Sequence, residues 1–172
     1  SSRYGISSSE ADRYLVEIDG RLNSKDEDYM LEKSALSLTT PMSLQWILTR
    51  HCNLQCRHCY VEAKNKDFDF PTIEDAKSIA RKCVEANIFS ITLTGGEAFL
   101  VPWPFEIIEI FLANKISVKV FTNGTLFGDA AKDKILKLSR YRDSLFFLTS
   151  FDGVQAVHDK IRGEGNYSRT VS

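Results

Sequence analysis

The chain has 172 residues, 43% of them hydrophobic, and a formal net charge of −1, which suits one soluble globular domain with a sizeable core. There is no basic excess to attract nucleic acid, and no apolar run nears the roughly 18 to 20 residues of a membrane-spanning helix. The opening SSRYGISSSE lacks the apolar stretch of a secretory signal, and four cysteines, three of them clustered, make a poor disulfide framework, so a reducing cytoplasm is the expected setting.

Ser7 and Glu10 stand at capping-box spacing, and Ala11, Tyr14, Leu15, Ile18 and Leu22 follow as a stripe at helical intervals. A short helix is expected there. Residues 23 to 41, NSKDEDYMLEKSALSLTTP, are polar and turn-rich and read as a linker. One helix is too little for a domain, so residues 1–42 read as a helix and linker ending something upstream, and residues 43–172 as the main unit.

From residue 43 the pattern is periodic. SLQWILT predicts a strand. TIEDAKSIARKCVEANI predicts an amphipathic helix, with Thr72 as N-cap after Pro71 and Ala76, Ile79, Ala80, Cys83 and Val84 on one face. FSITLT predicts a second strand ending at Gly95-Gly96, PFEIIEIFLAN a helix, and ISVKVFTN a third strand. DAAKDKILKLSRYR predicts a helix, SLFFLTSF a fourth strand, VQAVHDKIRG the start of another helix, and GEGNYS a loop. Strands alternating with helices of about 10 to 15 residues indicate an α/β fold with a parallel sheet.

Parallel sheets place their chemistry beyond the C-terminal ends of the strands. Cys52 follows the first strand, Gly95-Gly96-Glu97 the second, Thr122-Asn123-Gly124 the third, and Ser150-Phe151-Asp152-Gly153 the fourth. These segments should converge on one rim.

The loop RHCNLQCRHCY holds Cys52, Cys56 and Cys59 in the spacing C-x3-C-x2-C. Two metals suit such a loop. A structural zinc prefers four ligands, and His51 or His58 would complete its set. A cubane iron–sulfur cluster normally takes four cysteines, and with three it leaves one iron open for a ligand. Cys83 sits on the apolar helix face and reads as a small core hydrophobe.

CNLQCRHCY, TGGEAFL, FTNGTL and SFDGVQAVHDKIRG occur in that order, and together they resemble the radical S-adenosylmethionine (radical SAM) superfamily. The resemblance covers residues 43 to 170. It departs from the family's usual pattern at His58, where an aromatic residue is common, and at Ala98, where a proline often follows the glutamate. More narrowly it is similar to the branch with a C-terminal auxiliary-cluster (SPASM) domain, which modifies ribosomally made peptides and includes thioether-forming maturases (RiPP maturation). The implied fold is a parallel-sheet partial (β/α) barrel of radical SAM type, present through about strand four. The family barrel has about six strand–helix units, so the chain is expected to be the N-terminal part of a longer enzyme. Residues 1–172 alone are expected to self-associate through the edge of the fourth strand and not to turn over. The N-terminal helix resembles the end of a peptide-recognition domain.

The resemblance implies that Cys52, Cys56 and Cys59 ligate a [4Fe-4S] cluster. The open iron would bind S-adenosylmethionine, whose reductive cleavage gives a 5′-deoxyadenosyl radical. Gly95, Gly96 and Glu97 would receive the methionine ammonium, the glycines by close backbone approach and the glutamate as a carboxylate; the plain reading of the same residues is a strand-to-helix turn. His58 and Tyr60 either flank the adenine or pack against their own loop. Ser150 and Asp152 stand where the family contacts the ribose or carboxylate, and Asn123, after the third strand, is a further candidate contact to the cofactor, though Asp152-Gly153 and Asn123-Gly124 are also ordinary turn signals. Arg162 is either a partner for the methionine carboxylate or a surface residue, and His158 is a structural or helix-start surface residue. Implied partners are a precursor peptide or protein and a reductant such as flavodoxin or ferredoxin, with no nucleic acid and no membrane. The alternatives are a sulfatase-maturase-like or cofactor-biosynthesis radical SAM enzyme, or a non-catalytic zinc-binding module.

Overall fold

Four parallel strands in sequential order carry the structure, a computed structural model that describes residues 41–63 and 70–171. They are β1 (Ser43–Thr49), β2 (Ser90–Gly95), β3 (Ser117–Thr122) and β4 (Leu145–Thr149). Helices α1 (Ile73–Glu85), α2 (Pro104–Ala113) and α3 (Asp129–Leu138) make the crossovers, and α4 (Gln155–Arg162) and α5 (Asn166–Val171) follow β4. The helix and linker expected within residues 1–42 lie outside the described residues, apart from the last two positions.

Each element forms for a local reason. Thr72 and Asp75 close a reciprocal capping box at the start of α1: the Asp75 N–H donates to Thr72 Oγ1 at 3.2 Å and the Thr72 N–H to Asp75 Oδ2 at 3.3 Å. Pro104 occupies the first turn of α2, where a missing N–H costs nothing. Along the strands, alternate side chains divide between two faces. Leu48, Ile91, Leu93, Val118 and Val120 pack with Ala76, Ala80, Ile107, Ile108 and Phe111 into one core. Burying each of the larger of these is worth about 1.5–3 kcal/mol. The opposite face carries Gln45, Ile47, Lys119, Phe121, Phe146 and Leu148, all exposed.

Two expectations change. Ile79, expected on the buried face of α1, is 40% exposed. The face against the sheet is a narrow strip centred on Ala76 and Ala80, and their small side chains let the helix approach closely. GEGNYS, expected to be a loop throughout, is one only over its first three residues. Gly163, at φ 105, turns the chain out of α4. Asn166 Nδ2 then donates to the carbonyls of Arg162 at 2.9 Å and Gly163 at 3.1 Å. Asp159 takes the Tyr167 N–H at 2.8 Å. These two side chains start α5 within a stretch whose composition reads as a turn.

Candidate active site

The four C-terminal strand ends do converge. β1 and β2 pair from Ser43↔Ser90 up to a register shift between Ile47 and Thr49, where β1 releases the cysteine loop. Beyond it the Gly96 N–H donates to the Thr49 carbonyl and the Glu97 N–H to the His51 carbonyl, both at 2.9 Å. Gly96 lies so close to the loop that a Cβ there would fall 2.2 Å from the His51 oxygen. The other end of the loop is fastened to α4 by the Arg57 N–H, which donates to the Ile161 carbonyl at 3.0 Å.

Above these ends lies a cavity of about 430 Å³. Cys52, Cys56 and Cys59 all line it, and so do His58 and Tyr60 from the same loop. Gly95 and Gly96 face it from β2, Asn123 from β3, Ser150 from beyond β4 and Arg162 from α4. The exposed sheet face continues into it through Gln45, which no motif contains, and Phe121, which opens FTNGTL but carries no assigned role. Their alternation with core positions on β1 and β3 was the available signal.

Burial raises the pKa of the Cys52 thiol, the Leu54 N–H working against it by donating to Cys52 Sγ at 3.4 Å. Cys56 is raised too, chiefly by burial, while the Arg162 guanidinium draws it back down. Among the described residues no three His, Cys, Asp or Glu side chains converge on a point that one metal ion could fill. The three thiols instead line one cavity whose β2 side is walled by glycine backbone. A donor set of three thiolates around a roomy cavity suits a cluster ligated at three corners, with its fourth corner toward the remaining space.

The structure changes the reading of Glu97. Its carboxylate is 1% exposed and is not among the groups that line the cavity. Oε1 accepts from the Phe99 N–H at 3.0 Å and the Thr122 hydroxyl at 2.8 Å, and Oε2 accepts from the Asn123 N–H at 2.7 Å. Burial raises its pKa even against these three donors. A carboxylate so enclosed ties the end of β2 to the end of β3. Only the glycine half of the motif faces the cavity.

Arg162 is not a surface residue. Its side chain is 11% exposed and grips Asp152 with two nitrogens, Nε to Oδ2 and a terminal nitrogen to Oδ1 at 3.3 Å. That contact holds the Asp152 carboxyl below its ordinary range. His58 Nε2 lies 3.7 Å from the same carboxylate. Asp152 is thus the partner of Arg162, outside the set that lines the cavity. Tyr60 is 80% exposed, which removes packing against its own loop as its role. His158 is fully buried, with its ring against Phe151 and Tyr167. Cys83 packs against the core, away from the other cysteines.

Asn123 does more than turn the chain. Nδ2 donates to Asn53 Oδ1 at 2.9 Å and approaches Cys52 Sγ at 3.8 Å. Oδ1 accepts from the Thr125 N–H and hydroxyl at 2.9 and 2.7 Å. Thr125 Oγ1 in turn takes Asn53 Nδ2 at 2.8 Å, and the Thr170 hydroxyl on α5 is shared between the Asn166 carbonyl at 2.8 Å and the Asn123 carbonyl at 3.0 Å. The motifs do not single out Asn53, Thr125 or Thr170, because short polar residues in turns rarely signal which long-range partner they will meet.

Residues 46–172 match the profile of the Radical SAM superfamily. The chain is 33% identical over 132 residues to the antilisterial bacteriocin subtilosin biosynthesis protein AlbA of Bacillus subtilis, covering 76% of this chain and 29% of that protein. It is 28% identical over 143 residues to the mycofactocin maturase MftC of Mycobacterium tuberculosis, covering 83% and 36%. The solved structure of Streptococcus suis SuiB bound to S-adenosylmethionine superimposes with a TM-score of 0.64 at 18% identity, over 92% of this chain and 39% of that one. This last likeness is one of fold. The chain spans about a third of the length of the curated relatives it matches.

Proposed function

The chain belongs to the radical SAM superfamily, and on that premise we propose that its cavity holds a [4Fe-4S] cluster and S-adenosylmethionine in an enzyme that modifies a ribosomally made peptide. The observation that carries the reading is the placement of all three thiols of the C-x3-C-x2-C loop on the same cavity as the Gly95-Gly96 backbone and Arg162.

When bound, the cluster and S-adenosylmethionine supply reductive cleavage to a 5′-deoxyadenosyl radical, which abstracts a hydrogen atom from the substrate. The chain's own residues hold and orient. Cys52, Cys56 and Cys59 ligate as thiolates. Burial disfavours the thiolates of Cys52 and Cys56 in the metal-free protein, so metal loading releases protons and is favoured as pH rises. Gly95 and Gly96 let the methionine moiety approach bare peptide groups. Glu97 supports them from behind and does not touch the ligand. Arg162, oriented by Asp152, offers a fixed cation to the methionine carboxylate, and Ser150 offers a hydroxyl on the same side. His58 and Tyr60 present exposed rings to the adenine. The peptide would approach over the uncovered sheet face, by Gln45 and Phe121. A flavodoxin- or ferredoxin-like donor would provide the electron. A peptide substrate is favoured because AlbA is named for the biosynthesis of the bacteriocin subtilosin and MftC as a mycofactocin maturase.

Anaerobic reconstitution tests the site. The wild-type protein should bind about four irons, with the broad visible absorption of an iron–sulfur centre. Cys52→Ala, Cys56→Ala and Cys59→Ala should each lose it, and Cys83→Ala should not. Full iron retention in Cys56→Ala would exclude this ligand set. Under dithionite the loaded full-length enzyme should convert S-adenosylmethionine to 5′-deoxyadenosine.

A further inference from the structure

The side-chain amide of Asn123 has its orientation settled by its neighbours. Oδ1 accepts from the Thr125 backbone N–H, at 2.9 Å, and a backbone N–H cannot reverse its role as the hydroxyl can. The NH2 group must therefore face the other way, where it meets two acceptors, Asn53 Oδ1 at 2.9 Å and Cys52 Sγ at 3.8 Å. Asn53 Nδ2 is itself engaged by Thr125 Oγ1, which fixes the Asn53 oxygen toward Asn123. The backbone of Asn123 is held by Glu97, which accepts its N–H at 2.7 Å, and its carbonyl lies 3.0 Å from the Thr170 hydroxyl, whose single proton it shares with the Asn166 carbonyl at 2.8 Å. Asn123 and Cys52 are both buried, so this contact is shielded from competing water.

We propose that Asn123 is a positioning residue for Cys52: its amide donates to the Cys52 sulfur and so sets how readily a cluster ligated there is reduced. The proposal rests on the cluster assignment above. A hydrogen bond to a ligating sulfur stabilises the added negative charge of the reduced state and raises the reduction potential. Cys52 receives two such donors, the Leu54 N–H and the Asn123 amide. The first is backbone and survives any side-chain change, which leaves Asn123 as the adjustable one. Glu97 and Thr170 then act through Asn123, linking β2 and α5 to the environment of a single thiolate.

The test compares wild type, Asn123→Asp and Asn123→Ala in the full-length protein after anaerobic reconstitution, by iron content and by potentiometric titration of the reduced-cluster paramagnetic signal. Asn123→Asp keeps the size and the acceptor toward Thr125 but turns an oxygen toward the sulfur. Asn123→Ala removes the donor without adding charge. Both should shift the midpoint to lower potential, Asn123→Asp by more, with Arg140→Ala on the remote surface as an unshifted control. Asn123 variants that assemble a full cluster at the wild-type potential overturn the proposal and leave the cluster assignment standing. If Asn123→Asp does not assemble, the potential of Asn123→Ala decides. A wild-type protein that assembles no cluster overturns both.

Discussion

Replacing Gly96 by alanine probes the closest approach in the site. The added Cβ would lie 2.2 Å from the His51 carbonyl oxygen, 2.6 Å from its carbon and 3.0 Å from Cys52 Cβ. Two of these contacts are with backbone, so no side-chain rotation relieves them. Ordinary carbon contacts need about 3.5 Å, so β2 and the cysteine loop must separate by about 1 Å. That movement strains or breaks the Glu97 N–H bond to the His51 carbonyl, now 2.9 Å. Overpacking of this kind costs about 1–3 kcal/mol, and the lost hydrogen bond about 0.5–1.5 kcal/mol more, for a total of about 1.5–4.5 kcal/mol. Because His51 precedes Cys52, the shift also displaces a proposed cluster ligand. Urea unfolding should show the destabilisation, and anaerobic reconstitution should show reduced iron binding. Gly128→Ala is the internal control, since a Cβ at Gly128 would meet nothing within 4 Å and the residue has an ordinary negative φ of −75°; the gain of about 0.4–1 kcal/mol from a stiffer unfolded chain is offset by alanine's poorer fit at this helix N-cap, so the net change should be small and iron binding unaffected. A Gly96→Ala protein with wild-type stability and iron content would refute the close-approach argument.

Glu97→Gln and Asp152→Asn should show opposite pH trends. The native pKa of Glu97 is raised, so the wild-type advantage over Glu97→Gln is greatest below the ordinary glutamate value of about 4.3 and shrinks as pH rises through the native one. The native pKa of Asp152 is lowered, so its advantage over Asp152→Asn is present above about 3.9 and is lost as pH falls through the native value. Denaturant unfolding across a pH series from acid to neutral measures both, and slopes of the same sign would contradict the assignment. Glu97→Gln also sets an NH2 group against a backbone donor, a loss of about 1.5–3 kcal/mol. Thr72→Ala removes one half of the α1 capping box and should cost about 0.5–2 kcal/mol, read in the same unfolding experiment; no change would mean that Asp75 caps the helix unaided.

The arrangement of four strands and their crossover helices was legible in the chain because hydrophobic periodicity and end signals are local. The alternation in SVKVFT, the Thr72 cap and the Gly95-Gly96 stop each act within a few residues, and each element formed where that pattern placed it. The cysteine spacing was equally local, since three thiols in eight residues must share one loop. Which way a side chain points at a strand end is a different matter, because there the partners come from other strands. Glu97 follows two glycines and reads as a ligand's carboxylate partner, yet Thr122 and Asn123, some 25 residues away, supply the donors that draw it inside. Arg162 reads as a ligand's carboxylate partner or as a surface residue at the end of a short helix, and only Asp152, ten residues earlier, shows that its side chain is held inward. Asn123 reads as a cofactor contact or as half of a turn signal, and only the meeting of β1 with β3 across β2 brings its amide to Cys52. Local patterns set the elements, whereas the bonds that orient polar groups on the rim depend on chain segments that only the folded sheet brings within about 3 to 4 Å of one another.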